Sequence, residues 1–384
     1  MIPRDTTRLF ACFAAAASFC ACADGPNSQP ATEKTVPLVA TDAPSYTGAF
    51  TGAVPRLSAS DQPRDTLHVR RVLGDTLAFA RISGIQPIAG HLLVTDAGMS
   101  KHLALVDLGS GAILSRTGRD GEGPGEFRDP GTFLAQEGSP NSTWVYDFQN
   151  RRLALISIRE GRELVVEAGR PFDAGASIEQ PIRSGTRVLA NGLFPDYTLV
   201  VLDSTGKPQQ RIAADQPFPP SRISHAVGRR LLNRSYLAAD PTGQRLALAY
   251  QWASRIDFFS GDGSRRGSVA GPRQTEARYT IRGTRYFWDP EGAMAYTALR
   301  ATDNFVYALF CGCREADDPD QRSQRLHVFR WNGDFVREIQ LDRKVTAFAV
   351  TPDDSLLYAA VTEPHTAIGE WALPRDTRPV RSSQ

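Results

Sequence analysis

LLVTDAGMSKHLALVDLGSGAILSRTG (residues 92–118) and TWVYDFQNRRLALISIREGRELVVEAG (residues 143–169) are two copies of one pattern. Each opens on a β-run ending in an aspartate, Asp96 or Asp147. A polar turn, a basic residue, Leu-Ala-Leu, a glycine turn and another β-run follow. The order recurs more loosely in residues 188–212, 245–269, 305–341 and 356–373. Third strands are expected to begin near Leu103, Leu153, Leu199, Ile256, Leu326 and Ile368, a spacing that suits four-stranded blades with variable loops. Thr205-Gly206, Asp262-Gly263 and Asn332-Gly333 stand before fourth strands, where a tight hairpin turn needs positive φ.

The sixth copy, LLYAAVTEPHTAIGEWAL (residues 356–373), stops one strand short. An unassigned β-run, LHVRRVL (residues 67–73), precedes the first copy. A ring of blades has no free sheet edge if an N-terminal strand completes its last blade. The expected fold is therefore all-β: a six-bladed β-propeller of four-stranded blades, the last closed by an N-terminal strand. No window of twelve residues has a helical period, which fits this class.

The chain has 384 residues, of which 41% are hydrophobic, enough for one large core. Its net charge of +2 provides no general field for nucleic acid, which is not expected as a partner. Arg4 and Arg8 followed by the apolar run Leu9–Ala21 read as a signal peptide over residues 1–23, too short to span a bilayer. Ala21-Cys22-Ala23 suits ordinary cleavage, whereas Phe19-Cys20-Ala21-Cys22 suits lipidation of Cys22 with Phe19 in place of the usual Leu. The expected location is extracytoplasmic, in the periplasm or at the outer membrane, with any membrane contact made through the lipid. Residues 24–62 read as a flexible tether, 63–374 as the propeller and 375–384 as a tail. A monomer is expected.

TGRDGEGPGEFRDP (residues 117–130) resembles the turn between blades of NHL-type propellers. From Tyr236 to Leu373 the chain is similar to the TolB-like six-bladed propeller lipoproteins of bacteria. The resemblance is carried by LAADPTGQRLALAY, DNFVYALFCG and RLHVFRWNGDFVREIQLDRKVTAFAV, with Trp331, Asn332, Gly333, Ile339, Leu341 and Asp342 matching. It implies a lipid-anchored surface or periplasmic protein and supplies no catalytic residues.

Candidate chemistry is sparse. The Gly-rich loop lacks the lysine and helix of a phosphate loop and reads as a connection between blades. Cys311 and Cys313 stand two apart at a strand end, open to a disulfide, to free thiols or to a metal. Beside them Glu315, Asp317, Asp318 and Asp320 form an acidic loop, either solvated surface or a Ca²⁺ site lacking the usual spacing. The six histidines are scattered among blades without paired spacing, and read as structural. Tyr286, Trp288 and Tyr296 form an aromatic stretch able to line a pocket or to pack on the propeller face. The expected role is a binding or scaffolding module with a protein or small-molecule ligand on one propeller face. The alternative is a lactonase-like metal-dependent hydrolase or lyase at the central channel, for which Arg183, Asn191, Asp303 and Asn304 lie near inner or second strands. An electron-transfer quinoprotein lacks the required His, Arg and acidic clustering.

Overall fold

The structure is a computed structural model. It describes residues 38–40, 64–74, 78–135, 139–172, 178–213, 215–221, 223–275, 277–282, 285–288, 291–314, 317–318 and 322–375. The signal-peptide and Cys22 readings fall outside the described residues, as do the C-terminal tail beyond Arg375 and the tether apart from Leu38–Ala40. Leu38–Ala40 runs parallel to Arg211–Ala213 as an added strand.

Six antiparallel blades follow in chain order. Blade 1 consists of Ile82–Ile88, His91–Asp96, Lys101–Asp107 and Ile113–Asp120; blade 2 of Pro130–Ala135, Ser142–Asp147, Arg152–Arg159 and Glu163–Pro171. Blade 3 consists of Ile178–Ser184, Arg187–Gly192, Leu199–Leu202 and Pro208–Ala213; blade 4 of Ser235–Ala239, Arg245–Tyr250, Arg255–Ser260 and Arg265–Ala270. Blade 5 is Tyr296–Ala301, Phe305–Phe310, Ser323–Arg330 and the first part of the long strand Phe335–Val350. The second part of that strand begins blade 6, which continues through Leu356–Val361 and Ala367–Ala372.

Blade 6 gains its fourth strand from the N-terminal side, as expected. Arg71–Leu73 pairs antiparallel with Ile368–Glu370, and Leu73 is buried. The run read as one strand nevertheless divides. Arg64–Leu67 lies parallel to Glu338–Leu341 on blade 5, and residues 68–70 cross between the two blades. Ion pairs fix both halves: Arg71 with Glu370 at 2.8 Å, Arg337 with Asp65 at 2.7 Å.

Inner strands touch in a closed cycle, from blade 1 round to blade 6 and back to blade 1. Each neighbouring pair of blades shares its own apolar cluster. Val145 and Ile156 meet Leu93 and Leu105 between blades 1 and 2; Tyr358 and Ile368 meet Leu73, Ile85 and Val94 between blades 6 and 1. Middle strands are buried on both faces, so His91–Asp96 and Arg245–Tyr250 are apolar runs without strict alternation. The Gly-rich stretch links blades 1 and 2. Gly118 and Gly125 have φ of +78° and +76°, and Phe127 plugs the gap between those blades. The one helix among the described residues, Ala226–Leu232, lies in the connection from blade 3 to blade 4.

Candidate functional site

In such a blade the innermost strand starts on the face where the second strand ends. That face, called upper here, also holds the connections between blades. The second strands end there at Asp96, Asp147, Gly192, Tyr250, Phe310 and Val361. Asp96 is fully buried and accepts hydrogen bonds from the N–H groups of Ala80, Arg81 and Gly98 at 2.8–3.1 Å. Asp147 does the same for Arg128, Asp129 and Asn150. The repeat's aspartate thus anchors the chain as it enters each of these blades.

Charged side chains from blades 1 to 4 stand where the inner strands begin, at the upper mouth of the central channel. Arg234 Nε donates to Glu179 Oε1 at 2.9 Å. The Arg234 side chain keeps 43% of its surface exposed, yet burial pushes the neighbouring Tyr236 phenol and Glu179 carboxyl above their ordinary values. Arg234 is thus the solvent-facing member of the group, and Glu179 and Tyr236 are more enclosed. The Glu179 carboxylate in turn raises the Arg234 guanidinium. At the start of blade 2, burial raises the Asp129 carboxyl, opposed by the charge of Arg81. Gln180 Oε1 accepts from Leu237 N at 2.7 Å and locks blades 3 and 4 together beneath the pair. The starts of the inner strands thus carry two guanidiniums and two carboxyls, with the Tyr236 phenol beside the Glu179–Arg234 pair.

Residues singled out in the sequence take varied places. Cys311 and Cys313 are joined in a disulfide across Gly312, whose φ of +58° makes the bend; their Cα atoms are 4.9 Å apart. In the acidic loop Asp317 pairs with Arg314 at 2.7 Å. Asp318 is held by Lys344 at 3.0 Å and Arg322 at 3.1 Å, bonds that set its carboxyl below the ordinary range against its burial. Glu315 and Asp320 lie outside the described residues. Among the described residues no three His, Cys, Asp or Glu side chains gather to hold a metal.

Tyr286 and Trp288 fall on the second strand of a hairpin, Tyr279–Arg282 with Arg285–Trp288, inserted between blades 4 and 5; the structure describes backbone there. Tyr296 does not line an open surface. It is fully buried between blades 4 and 5, edge-on to Phe310, with its hydroxyl 3.2 Å from His327 Nδ1. Its place on the innermost strand directs it into the core between blades. Arg183, Asn191, Asp303 and Asn304 do not converge. Arg183 bonds Gly185 O, Asn191 bonds Ser235 O, Asp303 O accepts from Arg245, and Asn304 bonds Asp354.

Spacing in the sequence gave no sign of the ionic network centred on Glu338. This fully buried carboxylate accepts from Arg273 at 2.5 and 2.9 Å, pairs with Arg64 at 3.0 Å and lies 3.4 Å from His327 Nε2. His327 and Arg273 hold its carboxyl far below the ordinary range despite desolvation. Burial pushes His327 below its own ordinary value, so the imidazole is neutral at neutral pH. A cavity beside blade 4 was equally unforeseen.

No curated protein matches the chain. Among solved structures, the WD40 repeats of RRP9 share 7% identity at a TM-score of 0.46, covering 79% of this chain and 97% of that one. The β-propeller domain of Swd1 from Myceliophteria thermophila shares 11% identity at a TM-score of 0.45, covering 80% of this chain and all of that one. The family model described as TolB-like 6-blade propeller-like matches residues 88–353, well beyond the stretch in which its motifs are readable by eye. With a closed ring of six blades and that match, the chain belongs to the TolB-like six-bladed propeller family.

Proposed function

We propose that this protein is an extracytoplasmic binding or scaffolding module, tethered to a membrane by a lipid on Cys22, which docks its ligand on the upper mouth of the channel. The observation that carries the docking site is the Glu179–Arg234 pair, which joins blades 3 and 4 and leaves Arg234 exposed, with Tyr236 packed beside it against blade 5. An ion pair beside a phenol suits a partner with complementary charges of its own, since such contacts set orientation and selectivity more than raw affinity. Rigid blades keep the groups in place, so little ordering is needed on binding. The anchor and the location rest on the N-terminal sequence alone.

Photo-crosslinking in the native cell tests the docking site. A crosslinking residue in place of Arg234 should give discrete adducts, and one in place of Glu160, at a turn on the opposite face, should not. Equal labelling from both faces would overturn the mouth as the docking site. Mass spectrometry of the mature N-terminus tests the anchor: the expected product is a diacylglyceryl Cys22, and a free amine on Asp24 contradicts it.

A further inference from the structure

A second opening on the upper face stands apart from the channel mouth. It is a cavity of about 530 Å³ beside blade 4, between the connections that enter and leave that blade. This volume is within the usual range of small-ligand clefts. Phe218 and Trp252 contribute aromatic surface, and Phe218 is itself anchored by Ile223 and Leu232. Ser254, Ser268, Gln274 and Thr275 add neutral polar groups among small apolar residues such as Ala253 and Val269.

Two hydroxyls on this wall lack good partners. Thr275 Oγ1 is buried without a hydrogen bond. Ser254, 5% exposed, has its Oγ beside the Tyr296 hydroxyl but without a well-angled bond. Buried hydroxyls left unsatisfied are unfavourable, so a rotamer change that turns either one towards a ligand's hydroxyl would remove that cost. Ser268 Oγ accepts from Arg265, which leaves its O–H to donate into the cavity.

Charge selects further. Arg255 lines the cavity, but its guanidinium is committed: Nε to Asp257 at 2.7 Å and a second nitrogen to the Asp215 carbonyl oxygen at 2.6 Å. Arg265 lies 4.0 Å from Asp257, and Arg255 lies 3.5 Å from the Asp215 carboxylate. Arg255, the one charged residue among the described lining, is thus paired with carboxylates behind the wall, which leaves the cavity little to offer an ionic ligand. An aromatic wall with uncharged hydroxyl and amide groups fits a flat-faced ring that bears several hydroxyls. We infer that this cavity is a binding site for a neutral sugar unit, separate from the channel mouth.

The test is tryptophan-fluorescence titration of the whole mature protein with glucose, galactose, mannose, N-acetylglucosamine and their β-linked disaccharides, alongside glucuronic acid and glucose 6-phosphate. At least one neutral sugar should bind saturably and more tightly than the two charged ones. Trp252→Ala should weaken it at least tenfold by calorimetry, Trp252→Tyr should restore most of the affinity, and Tyr236→Phe at the mouth should leave it unchanged. Circular dichroism of each variant checks that the fold is intact. No neutral sugar binding at millimolar concentration, preference for a charged sugar, or binding indifferent to Trp252→Ala with Thr275→Val would each overturn the site. A sugar whose binding follows Tyr236 instead of Trp252 would overturn it too, and would leave the mouth proposal standing.

Discussion

Blades 1 and 2 keep an aspartate at the end of the second strand, whereas blades 4 and 5 have Tyr250 and Phe310 there, followed by Gln251 and Cys311. In the first pair this buried carboxylate is spent on the backbone: Asp96 and Asp147 each accept several N–H groups where the chain enters and turns. In the second pair an aromatic ring stands there: the Tyr250 hydroxyl donates to Asp257 Oδ2 at 2.9 Å, and Phe310 stacks on His327. Just beyond, Gln251 Nε2 contacts Met294 Sδ at 3.3 Å, and Cys311 is tied to Cys313. The connections differ as well. Blade 1 passes to blade 2 through a short Gly-rich loop, while residues 271–295 after blade 4 include a hairpin and the wall of a cavity. Where the repeat is retained its polar groups serve the fold, and where it has drifted the upper face acquires features that a propeller does not need for folding.

Both halves of that contrast depend on the ring being shut, so the largest effect should come from opening it. A chain that starts at Gly74 loses the strand paired with Ile368–Glu370 and bares the apolar surface around Leu73. It should lose its single cooperative unfolding transition in calorimetry. An unchanged Tm would mean that the strand only decorates the edge.

The Glu338 network should come next. Glu338→Gln leaves Arg273 and Arg64 facing a neutral amide, a loss of about 3 kcal/mol in urea unfolding. Its pH dependence has a definite sign. The folded-state value of Glu338 is depressed, so its contribution is full above the ordinary glutamate range and is lost as pH falls through that range towards the folded value. The wild type should therefore lose stability between about pH 5 and pH 2 more steeply than Glu338→Gln. Parallel curves would contradict a paired, ionised Glu338.

The disulfide should give the smallest effect. Cys311 and Cys313 close a loop of minimal length, so Cys313→Ser should cost only about 1–2 kcal/mol by chain entropy. A larger loss in thermal unfolding would give the bridge a part in holding blade 5 itself.

Much of the architecture was legible because a propeller repeats itself. Leu-Ala-Leu after a polar turn marked the third strands of blades 1 and 2, and the truncated sixth copy with LHVRRVL foretold how the ring closes. The division of that run between blades 5 and 6 was not legible, because His68-Val69-Arg70 has the composition of a strand and only the offset between two blades pulls it out of register. The mouth was missed for a similar reason. Glu179 and Arg234 belong to two blades, and nothing in their spacing says that inner strands bring them together. Tyr296 misled in the other direction: an aromatic-rich stretch suggested a pocket wall, but the strand turns this ring into the core against Phe310 and His327.

The division between retained and drifted blades is tested most directly by one paired experiment: urea unfolding of Asp147→Ala and Gln251→Ala under identical conditions. Asp147→Ala strands several buried N–H groups at roughly 1 kcal/mol or more each, so it should lose at least about 2 kcal/mol more than Gln251→Ala, with m-values unchanged. Equal losses, or a larger loss at Gln251, would contradict the account.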